Sequence, residues 1–355
     1  MHFFSNELYL IVGRINLINH TEYLCEQINL SLRSLSYSFS EDSHRQKLVL
    51  NSYQPVYFYV KSGETAGGMS TQWMRTKHSG GAIHEPGTIA VFDALCTSAK
   101  SINTVFDVVA LHGYFSIICL SIFDTAEVYS FEMNPVSFAS LKSNIDLNHQ
   151  LDVSRNKAFN YALSDSSELN QSVINRGFKI DSVSNYPYLD RLKIIFLNMK
   201  VYGTYKLEES KYKLKQFLDR TPKKKYFKYK QYFKQFNIDC WSIDDFCEEN
   251  SVMPDLIKMD VEGFQAKIIP GSMKTLEKSK PFFLLEFDSL SKVNAFGLSN
   301  KEIVKPLFDM GYQLIWGNHR TQNSAFIPLN YNDLDSSHEC NSLGLFFVEE
   351  RLRLH

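Results

Sequence analysis

LIKMDVEGFQAKIIPGSM, residues 256–273, places two carboxylates, Asp260 and Glu262, at the end of a short apolar run and just before a helical pattern. Far upstream, FDVVALHGYFS, residues 106–116, repeats the layout with Asp107 closing the run and Gly113 in the turn. Two apolar strands that each run into an acid-bearing turn predict a pocket along the carboxyl edge of a parallel sheet. Open α/β sheets bind their ligands in that crevice.

The pattern alternates on either side of these segments. GTIAVFDALCTSAK predicts a helix, TVFDVVA a buried strand, GYFSIICLSIF a buried helix and EVYSFEM the next strand. That strand runs into Asn134-Pro135, an N-cap side chain followed by proline at the first helical position. Phe138, Leu141 and Ile145 then share one helical face. KAFNYALSD predicts a third strand, and LIKMDV a fourth. A helix is expected over about 263–279, then the strand FFLLEF, a helix over about 300–310, and the strands YQLIWG and LGLFFVEE. Alternating strand and helix define a doubly wound, Rossmann-like α/β fold.

Two stretches interrupt the alternation. Residues 62–88 are rich in Gly, Ser and Thr and read as a connecting loop, with a lid as the alternative. Residues 1–84 are expected to form an N-terminal accessory region and linker, and residues 85–355 the main domain. Within the latter, about 170–236 is longer than a crossover requires. Its 191–234 part is basic and aromatic and densest at KKKYFKYKQYFK, 223–234. Such a run suits phosphate, glycan or nucleic acid, but a solvated helical hairpin is the favoured reading.

Composition excludes several classes. The chain has 355 residues, 44% hydrophobic and 22% charged, with net charge −1, so neither a disordered chain nor a wholly nucleic-acid-binding one is expected. Six scattered cysteines without a CxxC pair read as reduced thiols. The amino terminus lacks a basic start, and no apolar run is long enough to span a membrane, so a cytoplasmic location is expected. No metal-ligand spacing occurs, and no catalytic metal is expected.

Acids at successive strand ends are the strongest chemical signal. Asp107 can accept from a ligand ammonium or hydroxyl, and Gly113 lets backbone approach closely. The turn amides and the helix start behind them can hold a carboxylate. Glu132 closes the next strand, where an acid can take both ribose hydroxyls of a nucleoside. Asp165 closes the third and could reach an adenine edge.

VFDVVALHGYFSIICL, VYSFEMNPVSFASLKSNIDLN, ALSD, SIDDF, LIKMDVEGFQAKIIPGS and KPFFLLEF, in that order, resemble the FkbM family of S-adenosylmethionine-dependent methyltransferases over roughly residues 85–320. The resemblance implies a class I methyltransferase fold, a seven-stranded sheet with an antiparallel last strand. It implies O-methyl transfer from S-adenosylmethionine to a hydroxyl of a sugar, glycan or glycosylated metabolite, anionic acceptors included. Cofactor contacts are then expected from Asp107, Ala110, Gly113, Tyr114, Glu132, Met133, Asn134 and Asp165, and catalysis from Asp260 and Glu262. His112 and His319 are lesser candidates for a base. Capping of the helix that starts near Gly263 is the competing role for both Asp260 and Glu262, with the catalytic role favoured for Asp260 and the two roles evenly balanced for Glu262.

The family's first turn is close to D-x-G-A-N-x-G. Here Val109 replaces the first glycine and Leu111 the asparagine, while Ala110 and Gly113 match. Valine is β-branched and avoids positive φ. A non-catalytic binding module that has lost its cofactor is therefore the alternative function. A nicotinamide-dependent oxidoreductase is disfavoured because no G-x-G-x-x-G follows a strand.

Overall fold

The computed structural model describes residues 19–41, 45–59, 81–175, 180–182, 235–335, 338 and 342–353. The basic stretch 191–234 and the Gly-rich run 62–80 lie outside them. The chain divides into two compact units, Met1–Ser167 with Cys240–His355, and Glu168–Asp239. In the second, β8 (Glu168–Asn175) pairs antiparallel with β9 (Ile180–Ser182).

The first unit begins with α1 (His20–Ser34) and a meander of β1 (Tyr37–Glu41), β2 (Arg45–Leu50) and β3 (Val56–Tyr59). The free edge of β3 is paired by side chains. Asn148 accepts from Tyr57 N and donates back to Tyr57 O, and Asn144 accepts from Tyr59 N. Two asparagines thus do what a neighbouring strand would do. Leu24, Ile28, Leu48 and Phe58 of this region share one core with Ile89, Phe92 and Ile117, so the accessory region is packed onto the sheet's own layer.

Next come α2 (Pro86–Ser98), β4 (Thr104–Val108), α3 (Tyr114–Ile122), β5 (Glu127–Phe131), α4 (Pro135–Asp146), β6 (Asn156–Phe159) and β7 (Tyr161–Leu163). After β10 (Gln235–Trp241) follow α5 (Ile243–Glu249), β11 (Leu256–Met259), α6 (Gln265–Ile268), α7 (Met273–Ser279) and β12 (Phe282–Phe287). The chain closes with α8 (Leu290–Val293), α9 (Asn300–Asp309), β13 (Gln313–Asn318), β14 (Phe326–Leu329) and β15 (Ser342–Phe347).

The main sheet runs β14-β13-β15-β12-β11-β4-β5-β6. The last strand, β15, inserts antiparallel between β12 and β13, as the resemblance implies. The sheet has eight strands rather than seven, because β14 adds an antiparallel edge to β13. That edge is closed by α1, where Asn29 donates to Phe326 O and accepts from Phe326 N. Helices on both faces bury the sheet, so its strands read as continuous apolar runs. Topology and layering are those of a Rossmann-like α/β fold.

Two sequence expectations are corrected. The helix expected over about 263–279 is broken into α6, a 3₁₀ turn at Pro270–Ser272, and α7. Gly271 permits the break, since a Cβ there would sit 2.2 Å from Ser164 O. The third strand also splits at Asn160, leaving only β6 in the main sheet. Asn160 Nδ2 turns aside to donate to the carbonyls of Glu132 and Met133.

Candidate active site at the carboxyl edge of the sheet

The turn after β4 keeps the backbone of a glycine-rich loop with valine in place of its first glycine. Val109, Leu111 and Gly113 have φ of +62°, +51° and +82°. Left-handed φ costs a non-glycine residue on the order of 1–3 kcal/mol and persists only where the surroundings over-determine it. Here they do. Ala110 N donates to Phe131 O and Gly113 N to Ala110 O, each at 2.8 Å. Leu111 N donates to Glu132 Oε2 and Asn144 Nδ2 to His112 O, also at 2.8 Å. Gly113 faces Leu141, not open space.

Glu132 lies just past β5, 3% exposed. Its Oε1 accepts from Asn134 N and its Oε2 from Leu111 N. Burial pushes its pKa up to about 7 against the pull of those two amides. Asn134 accepts from Val136 N as the N-cap of α4, with Pro135 at the first helical position.

Asp107 is not at a ligand-facing strand end. It sits within β4, 1% exposed, in register with Lys258 of β11 on one side and Ser130 of β5 on the other. Ser116 Oγ donates to its Oδ2 at 2.6 Å, and Lys258 Nζ lies 3.7 Å from its Oδ1. Ser130 donates to Ser116, and Asn156 to Ser130. A polar row thus crosses four apolar strands. Burial works against the Lys258 ammonium, but Asp107, Asp260, Glu85 and Glu286 together hold its pKa above the ordinary lysine value. Its Nζ also stands 4.6 Å from the centre of the Phe115 ring.

At the ends of β11, β12 and β13 a second group converges. Asp260, partly accessible, is hydrogen-bonded to Glu286 of β12. Burial, then Asp260, push the Glu286 pKa up to about 10, whereas the hydrogen bond and Lys258 hold Asp260 down against its partial desolvation. The two carboxyls thus push each other's proton affinity in opposite directions. Arg320 bridges Glu286 Oε1 at 2.6 Å and Glu85 Oε1 at 2.7 Å. His84 Nε2 lies 3.2 Å from Glu85 Oε1. His319 Nε2 lies 3.5 Å from Glu286 Oε1 and 3.7 Å from Glu85 Oε1. Burial alone would raise the Glu85 pKa, but His84, His319 and Arg320 hold it below the ordinary carboxylate range.

The structure thus joins Asp260 to Glu85, Lys258, Glu286, His319 and Arg320, of which only Asp260 and His319 were singled out from the sequence. Glu85 was hidden at the end of an apparent loop, and Lys258 and Glu286 inside apolar runs. Glu262 is not in this group. It is exposed, at φ +55°, and paired with Lys292. Nor does it cap α6; the Gly263 amide donates to Asp288 instead. Asp165 lies beyond β7, with Lys267 Nζ 2.7 Å from its Oδ2, while Asn160 is the side chain beside Glu132 and Met133. The Tyr114 ring is buried against Phe58, His84 and Phe115. His112 is buried in the turn, and burial holds its pKa down to about 4. Among the described residues, no group of three or more His, Cys, Asp or Glu is arranged to hold a metal ion. Among them, too, no helix is long and apolar enough to cross a membrane.

A sheet with this strand order and an acid-lined carboxyl edge has the architecture of an α/β methyltransferase. The methyltransferase FkbM domain model matches residues 107–314, and the chain belongs to that family. An FkbM methyltransferase from Methylobacillus flagellatus is similar over 69% of this chain and 43% of its own, at 13% identity and TM-score 0.37. This chain therefore spans less than half the length of that protein. A precorrin-6y C5,15-methyltransferase from Geobacter metallireducens is similar over 73% of this chain and 84% of its own, at 11% identity and TM-score 0.31. No curated protein matches the sequence.

Proposed function

We propose that the protein is an O-methyltransferase that takes its methyl group from S-adenosylmethionine and gives it to a hydroxyl of a sugar, glycan or glycosylated metabolite. Family membership supports methyl transfer. The hydrogen-bonded Asp260–Glu286 pair carries the proposal for a hydroxyl acceptor, because such an acceptor benefits from a group that removes its proton.

The residues at β4 and β5 fit the cofactor. Each Glu132 oxygen accepts one backbone N–H and keeps acceptor capacity for a ribose hydroxyl. The Val109–Gly113 turn holds the left-handed backbone that places amides and the start of α3 beside a ligand. Ala110, Met133 and Asn134 complete that edge, and Asp107 supports it from below. Bound there, the cofactor supplies an electrophilic methyl group on a sulfonium. The protein's own part is to hold the acceptor oxygen at attack distance and to take its proton. The partly accessible Asp260 carboxylate receives that proton, and the Glu286 hydroxyl holds Asp260 in place by its hydrogen bond. Arg320 fixes Glu286 and Glu85 in turn.

The alternative, a binding module without the cofactor, draws on Val109, whose side chain stands where the family has glycine. Transfer of methyl-labelled cofactor to a panel of mono- and oligosaccharides, read by mass, separates the two. Expected are O-methylated products from the wild type and their loss in Asp260→Asn. Absence of product with every sugar would count against the assignment of acceptor class.

A further inference from the structure

Asn144 holds two parts of the molecule at once. Its side chain, fully buried on α4, donates from Nδ2 to His112 O at 2.8 Å and accepts at Oδ1 from Tyr59 N at 3.1 Å. His112 belongs to the turn after β4, and Tyr59 is the last residue of β3. Other contacts join the same two parts. Phe58 of β3, fully buried, stacks on Tyr114 at the start of α3, with ring centres 5.4 Å apart. Ser121 of α3 donates to Gln54 O, just ahead of β3, at 2.6 Å. One helical turn before Asn144, Leu141 closes over Gly113, where a Cβ would come within 2.6 Å of its Cδ1. The N-terminal meander and α4 thus grip the chain from His112 to Tyr114. That grip falls where the backbone most needs it. Val109 and Leu111 hold left-handed φ without being glycine, and such a backbone lasts only where its neighbours over-determine it.

We infer that Asn144 is a positioning residue for the cofactor turn, and that through it β3 of the N-terminal meander becomes a working part of that site. The inference rests on the reading of this turn as the cofactor's. A carboxamide suits the task because it offers an acceptor on one arm and a donor on the other. Oδ1 satisfies an N–H on the outer edge of β3, and Nδ2 fixes a carbonyl of the turn. The bond to β3 sets the plane of the amide, and the amide holds His112 O. With that carbonyl held, Ala110, Leu111 and Gly113 keep the bonds that their amides make to Phe131 O, Glu132 Oε2 and Ala110 O. The accessory region therefore supplies a restraint that a glycine-rich turn would not require.

The test compares Asn144→Ala with Asn148→Ala in the full chain. Asn148 lies four residues on, is equally buried and bonds both Tyr57 N and Tyr57 O, yet its side chain reaches no residue of the turn. The first readout, taken without any ligand, is hydrogen exchange of the amides from Val109 to Tyr114. Stranding His112 O should speed exchange there about tenfold in Asn144→Ala, while Asn148→Ala should leave it as in the wild type. The second is calorimetry with S-adenosylmethionine. Affinity should fall about tenfold in Asn144→Ala and stay at the wild-type value in Asn148→Ala. Unchanged exchange in Asn144→Ala, an equal rise in both variants, or a cofactor affinity untouched by Asn144→Ala overturns the inference. A wild type that binds no cofactor defeats the cofactor reading instead, and the exchange comparison still decides whether Asn144 holds the turn. Should Asn144→Ala fail to fold, Tyr59→Pro decides. It deletes the N–H that Asn144 accepts, on the outer side of an edge strand, where proline is tolerated. Exchange of the turn should then rise severalfold; no change there overturns the inference too.

Discussion

Within β4 and just past β5 each carboxylate faces its own donors. Asp107 faces Ser116 and Lys258, and Glu132 faces two backbone amides. At the ends of β11 and β12 this is not so. Asp260, Glu286 and Glu85 crowd around one arginine and two histidines. The first edge uses its acids to fix backbone, and so presents a preformed turn. The second leaves a protonation state unsettled, which is what acid–base chemistry requires.

Four perturbations would break or sharpen that contrast. The largest effect is expected from Lys258→Met. It leaves Asp107 buried without its cation and should destabilise the fold by about 3–5 kcal/mol in chemical denaturation; a near-neutral change would mean the polar row is not an ionic one. Asp260→Asn should lower turnover about 10²-fold or more while cofactor affinity stays near wild type. Equal losses in both would assign Asp260 to the cofactor.

Glu132 gives a pH signature. Its pKa in the folded chain, about 7, lies above the ordinary 4.5, so protonation favours folding. The stability it contributes is complete below pH 4.5 and is lost as pH rises through about 7. Denaturation curves of Glu132→Gln should lack that slope, up to about 1.4 kcal/mol per pH unit in this window. Identical pH profiles for the two proteins would contradict the burial of this carboxyl. Glu132→Ala would strand both the Leu111 and Asn134 amides and Glu132→Gln only one of them, so the glutamine is the milder variant. The smallest effect belongs to Val109→Gly. Relief of left-handed strain should stabilise the fold by on the order of 1 kcal/mol in chemical denaturation, and loss of the side chain that stands where the family has glycine should leave cofactor binding equal or tighter. Weaker binding would mean that the valine side chain itself contacts the ligand.

Periodicity and caps made the sheet legible. The apolar runs and Asn134-Pro135 mark elements that form where expected, because local propensity and burial agree there. The split third strand and the broken helix were not legible. Asn160 leaves the ladder for carbonyls of another strand end, and Gly271 is needed for contact with Ser164, both long-range causes. The site was half legible. Asp260 and Glu132 announce themselves at strand ends. Lys258 and Glu286 lie inside strands whose apolar reading is otherwise correct, and Glu85 joins them only because α2 folds back over the sheet edge. Glu262 and Asp165 also follow strand ends, but each is paired with a lysine, which a strand-end acid in the sequence does not reveal.

Calorimetry of the wild-type chain with S-adenosylmethionine bears on everything above. Heat with a micromolar dissociation constant is expected, weakened in Glu132→Gln while Glu262→Gln binds as the wild type does. Silence at millimolar cofactor, with the chain folded, would show that the turn carrying Val109 and Leu111 keeps its shape but holds no adenosyl group.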